Sequence, residues 1–88
     1  MAFLGADVEQ LRSLAAEFGR QSGALDEMGR RLTMRVDLVG WRGADAERFR
    51  DDWRSVHLVT VRRAAEALGR AGVDARRQAN AQQDASAR

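Results

Sequence analysis

Residues 40–45 read Gly40-Trp41-Arg42-Gly43-Ala44-Asp45, GWRGAD, and lie almost midway along an 88-residue chain. The largest apolar side chain sits here between two glycines, which are poor helix formers. Strongly periodic sequence runs away from the stretch in both directions. The stretch therefore reads as a turn between two long helices, and that reading decides the fold.

Upstream, Leu4, Leu11, Phe18, Leu25, Leu32 and Val39 recur every seven residues, interleaved with Val8, Ala15, Ser22, Gly29 and Val36 at the same spacing. These are the d and a positions of a sustained heptad. Leu14 and Met28 widen the stripe beyond a two-stranded seam, as in a bundle. Asp7 followed by Gln10 resembles a capping box, and Gly40 is the expected stop. The pattern predicts helix one over about 7–39, roughly 48 Å long at about 1.5 Å per residue. Gly29 and Ser22 occupy a positions, where a small residue admits a close backbone or a large neighbouring side chain.

Downstream, the turn over 40–43 leads into helix two, predicted over about 44–77. Asp45 and Glu47 suit the positive end of its dipole. Its apolar stripe is expected to run through Ala46, Phe49, Trp53, Val56, His57, Val61, Ala64, Leu68, Ala71 and Ala75, bulky near the turn and small toward the end. The last eleven residues, QANAQQDASAR (78–88), lack any large apolar side chain and are expected to fray as a polar tail. Residues 1–82 read as one helical hairpin domain. A short connection makes its two helices antiparallel neighbours.

The composition agrees. There is no Pro, and Ala is abundant, which favours long helices. With no Cys and one His, neither a disulfide nor an intrachain zinc site is expected, and no cofactor is called for. A chain this short buries only about 60 to 65% of its unfolded surface, so its core is marginal alone. Both stripes are wide, and a lone hairpin has one interface. The expected architecture is all-α: an antiparallel helix-turn-helix hairpin that dimerises, with itself or a related small helical protein, into a four-helix bundle. The packing face would use Leu11, Phe18, Leu25, Leu32, Phe49, Trp53, Val61 and Leu68.

The chemistry of catalysis is missing from this pattern. Ser55, His57, Asp51 and Asp52 are close in sequence but not in a triad arrangement on a helix, and a hairpin offers no oxyanion hole. The chain reads as a non-enzyme. Arg30, Arg31, Arg35, Arg42, Arg48, Arg50 and Arg54 gather near the turn, but Asp37, Asp45, Glu47, Asp51 and Asp52 lie among them. Mixed solvated pairs account for this better than a nucleic-acid surface, which would be a cleaner basic stripe. All 15 basic residues are Arg, a bias that fits GC-rich bacterial coding. The opening MAFLGADVEQL lacks a basic n-region and a long apolar stretch, so neither a general secretory leader nor a membrane span is expected.

Trp41-Arg42-Gly43 midway between two long helices resembles the WXG-100 family, the small Trp-x-Gly proteins of type VII secretion. The likeness extends through GWRGADAERFRDDW, with Ala44, Ala46, Phe49 and Trp53, to AEALGRAG at 65–72. It implies a bacterial protein acting by protein–protein recognition, cytoplasmic before export and secreted without a cleaved leader. The partners implied are a related small hairpin, the type VII ATPase or a larger toxin. The turn residues Trp41, Arg42 and Gly43 would close one end of the bundle or present a recognition feature. Many members carry Tyr-x-x-x-Asp or Tyr-x-x-x-Glu after helix two; this chain has no Tyr, and the positions that would hold the pair fall near Ala75 and Ala79. An export signal would then come from a partner. A structural coiled-coil or chaperone module for a larger toxin inside the cell is the alternative, and a nucleic-acid-binding helical dimer a further one.

Overall fold

A computed structural model describes residues 7–87. Helix α1 spans Val8–Leu38. After the turn come α2, Ala44–Asp52, a π-helical segment over Trp53–His57, and α3, Leu58–Ser86. The junction residues Asp52, Trp53, His57 and Leu58 all keep right-handed helical angles, so these pieces form one continuous second arm. The two arms lie antiparallel in a rod of 66 × 16 × 16 Å. The expected helical hairpin is present.

The N-terminus of α1 is capped as the sequence suggested, with the Asp7 carboxylate accepting the Gln10 backbone N–H at 3.0 Å. The stop differs. Gly40 does not take a left-handed angle; Gly43 alone among the described residues has positive φ. The helix ends because Val39 turns extended, at φ −63° and ψ 136°.

A seam of small residues holds the arms together. Ala15, Gly29, Ala46, Leu58, Ala65, Gly72, Ala75 and Ala79 are buried, and no large side chain among the described residues is buried completely. The register steps by sevens: Gly29 faces Leu58, Ser22 faces Ala65, and Ala15 faces Gly72. The Ser22 hydroxyl donates to the Ala65 carbonyl at 2.7 Å, which satisfies the one polar side chain in the row. At Gly72 the approach is to backbone, for a Cβ there would lie 3.1 Å from the Ala15 carbonyl oxygen and 3.2 Å from the Phe18 Cβ.

The π segment changes the facing of the second arm. Ala46 and Trp53 point to α1, and a regular helix continuing from them would turn 57 and 60 inward. One extra residue in the wide turn instead brings Leu58 and Val61 to the seam, followed by Ala65, Leu68 and Gly72. Val56, His57 and Ala64, expected on the packing stripe, are therefore exposed, while Leu58 and Ala65 take their places.

The second arm also runs past position 77, where its end was expected, to Ser86. Ala79 is fully buried against α1, and Arg12 donates to the Gln83 side chain. Alanine is the strongest helix former, so this stretch holds its helix without large apolar residues.

Candidate functional site

The turn is organised by a side chain that the sequence reading did not single out. The last carbonyls of a helix lack intrahelical partners. Here Arg50, projecting from α2, donates to the Val36 carbonyl at 3.1 Å, the Val39 carbonyl at 3.2 Å and the Trp41 carbonyl at 2.8 Å. A planar guanidinium can serve three acceptors at once, and its charge strengthens each bond. Its sequence signal was obscured because Arg50 is one of several arginines near the turn.

Gly43 sits at φ 111° and ψ 179°, a region that is essentially closed to residues with a Cβ. No neighbour would touch a Cβ there, so the special angle, and not a close approach of neighbouring atoms, is what calls for glycine at this position. The Gly43 carbonyl then accepts the Glu47 N–H at 3.1 Å and starts α2. Asp45 and Glu47 occupy the first turn of α2, as expected.

Trp41 leans on Phe49, with ring centroids 5.6 Å apart and planes tilted by 54°. The pair stays on the surface, Trp41 at 42% and Phe49 at 49% exposure. Arg42 between them in sequence is exposed and forms no ion pair among the described residues. One helical turn further in, Trp53 is half-buried, and its indole N–H donates to the Thr33 hydroxyl at 2.9 Å. Arg54 pairs with Asp37 across the arms.

The expected packing residues divide into two groups. Leu11, Phe18, Leu25, Trp53, Val61 and Leu68 are half-buried between the arms; Leu32 and Phe49 are exposed. At about 100° per residue, Leu14, Met28 and Leu32 project from one side of α1, and Phe49 and Val56 project from the same side of the antiparallel second arm. All five are exposed large apolar side chains, and together they make one apolar flank. The Arg54–Asp37 pair and the Arg12–Gln83 contact lie on the opposite flank. Met34, Leu38 and Val73 are exposed outside the apolar flank. The chain presents 6805 Å² of accessible surface. A compact monomer of its mass would present about 5,200 Å².

The polar groups weighed for catalysis are dispersed. The Ser55 hydroxyl donates to the Asp51 carbonyl at 2.7 Å, and the exposed His57 ring lies 6.5 Å from that of Trp53. Among the described residues, no cluster of His, Cys, Asp or Glu could hold a metal ion, and no helix is long and apolar enough to cross a membrane. No protein-family model, curated protein or solved structure matches the chain.

Proposed function

We propose that this protein works by protein–protein recognition as a type VII secretion protein of the Trp-x-Gly kind, either exported itself or escorting a partner that is. The observation that carries the reading is the Trp-x-Gly turn at the tip of the hairpin. There the backbone is bound by Arg50, Gly43 holds an angle reserved for glycine, and Trp41 is displayed on Phe49. The apolar flank supports it further. Leu14, Met28, Leu32, Phe49 and Val56 leave apolar surface of the kind that a second helical hairpin covers in a four-helix bundle. Such a protein needs no catalytic group; its mechanism is the burial of that flank and the presentation of the tip.

Export tests the reading. The tagged protein is expressed in its native host with and without the type VII ATPase, and the culture medium is blotted with a lysis control. Appearance in the medium only when the ATPase is present is the expected result. Retention in the cytoplasm of both strains would overturn export and favour a structural or chaperone module.

A further inference from the structure

We infer that the outer face of α3 is a second docking ridge, and that its occupant is an acidic helix of a partner protein with carboxylates at seven-residue spacing. The inference rests on the recognition role proposed above and gives that role a surface apart from the apolar flank.

The ridge is a repeat in the sequence. VRRAAEA (61–67), LGRAGVD (68–74) and ARRQANA (75–81) set Arg63, Arg70 and Arg77 at the same place in three successive heptads. Ala65, Gly72 and Ala79, all buried in the seam, also share one place. At about 100° per residue the three arginines fall within about 40° of one another, on the side of α3 turned away from α1. Arg62 and Arg76 form a second row beside them, on the flank that carries the Arg12–Gln83 contact. All five are exposed.

Their charge is left unmatched. Among the described residues Arg62, Arg63, Arg70 and Arg76 form no ion pair, and Arg77 meets Asp74 only at 4.0 Å. Glu66 and Asp74, one helical turn from Arg62 and Arg70, are the acids of 58–77, so five arginines against two carboxylates leave three positive charges in excess. The whole chain carries +2, so the rest of it is close to neutral and the positive field is concentrated here. Ala67 and Gly69 stand between the arginines, and side chains that short leave the guanidinium forks free to reach outward.

Shape selects the occupant. The row advances about 10.5 Å per heptad. A second helix with Asp or Glu at every seventh position has the same step, so each fork meets a carboxylate and can bind it with two parallel bonds. Duplex nucleic acid does not follow a straight row. Over the roughly 21 Å from Arg63 to Arg77 a phosphate strand that turns once in about 34 Å winds more than halfway round its axis. A helix that lies in a lipid surface sets large apolar groups beside its charges. On α3 the large apolar side chain left exposed among the described residues is Val73 alone.

Peptide binding tests the match. Two alanine-rich helices of about 28 residues, long enough to hold their fold, carry the same number of glutamates. One has them at two adjacent places in every heptad, and the other has them spread around the helix. Binding is read by fluorescence anisotropy at about 0.1 M salt, where screening acts beyond about 10 Å. The in-register peptide should bind about tenfold tighter than the spread one. Arg63→Gln/Arg70→Gln/Arg77→Gln should lose about tenfold toward it. Arg20→Gln/Arg30→Gln/Arg48→Gln, which removes the same charge elsewhere, should lose less than about twofold. Equal binding of the two peptides by the unaltered chain, or equal losses in the two triple variants, would reduce the attraction to net charge and overturn the ridge. Tighter binding to a DNA duplex of about 20 base pairs, or to phosphatidylglycerol vesicles, would overturn the acidic helix in favour of nucleic acid or lipid. Export is measured separately: an ATPase-dependent export of a chain that does not tell the two peptides apart would sink this inference and leave the secretion reading standing.

Discussion

The indole N–H of Trp53 donates to the hydroxyl of Thr33 across the two arms at 2.9 Å, and that hydroxyl donates on to the Gly29 carbonyl at 2.8 Å. The relay ties the turn half of the second arm to the α1 backbone beside the small-residue seam. Trp53→Phe keeps an aromatic ring and loses the donor; Thr33→Val loses the acceptor and leaves a half-buried indole N–H unpaired. Each should cost about 1 to 2 kcal/mol. A double-mutant cycle in urea should give a coupling of about 1 kcal/mol. Additive single effects would show that the bond adds nothing to stability.

Arg50 binds the Val36 and Trp41 carbonyls, which α1 and the turn would otherwise leave to solvent, and the Val39 carbonyl, which also accepts the Trp41 backbone N–H at 2.8 Å. Arg50→Met retains most of the aliphatic stem and removes the guanidinium. It should lower unfolding free energy by about 2 kcal/mol, and Arg50→Lys should recover less than half, because a single ammonium cannot reach all three acceptors. Equal midpoints for Arg50→Lys and wild type would refute the three-way clasp.

Two glycines in helices should respond with opposite sign. At Gly72 an added methyl meets the Ala15 carbonyl and the Phe18 Cβ, so Gly72→Ala should destabilise by about 1 to 3 kcal/mol. Around Gly23 there is open space, and Gly23→Ala should stabilise by about 1 kcal/mol through helix propensity. Thermal melts of the two variants read the signs directly.

Deleting Ser55 removes one residue from the π segment. Regular helical steps from Ala46 and Trp53 would then reach Leu58, Val61 and Ala65 without a wide turn. The deletion should be tolerated to within about 1 kcal/mol, far less than a typical loss of facing in a core helix. Loss of the cooperative transition on circular dichroism would mean that the wide turn itself is needed.

The hairpin was legible because its signals are local and repeated. Heptads from Val8 to Val36, the Asp7 cap and the Trp-x-Gly break each report on a few neighbouring residues. The facing of the second arm was harder to read, since a π turn adds one residue without any sequence mark such as Pro or Gly. Periodicity carried through it selects Val56, His57 and Ala64 in place of Leu58 and Ala65. The seam Leu58-Ala65-Gly72-Ala79 is itself a strict seven-residue repeat, but beyond Leu58 it is built of residues too small to stand out as a hydrophobic stripe. The turn at Gly43 could be read from residue type. The Arg50 clasp could not, because a contact nine to fourteen residues away depends on how the chain folds back.

The clasp has a dynamic consequence. The acceptors belong to the end of α1 and the turn, and the donor belongs to α2, so neither arm completes this junction alone. Once formed, the tip is held by Arg50, by Trp53 on Thr33 and by Arg54 on Asp37, whereas among the described residues the far end has the one side-chain bond from Arg12 to Gln83 beside its alanine and glycine contacts. Local opening is easiest where such anchors are fewest. The hairpin should therefore open like tweezers, with amide hydrogen exchange faster toward the free ends than at the tip.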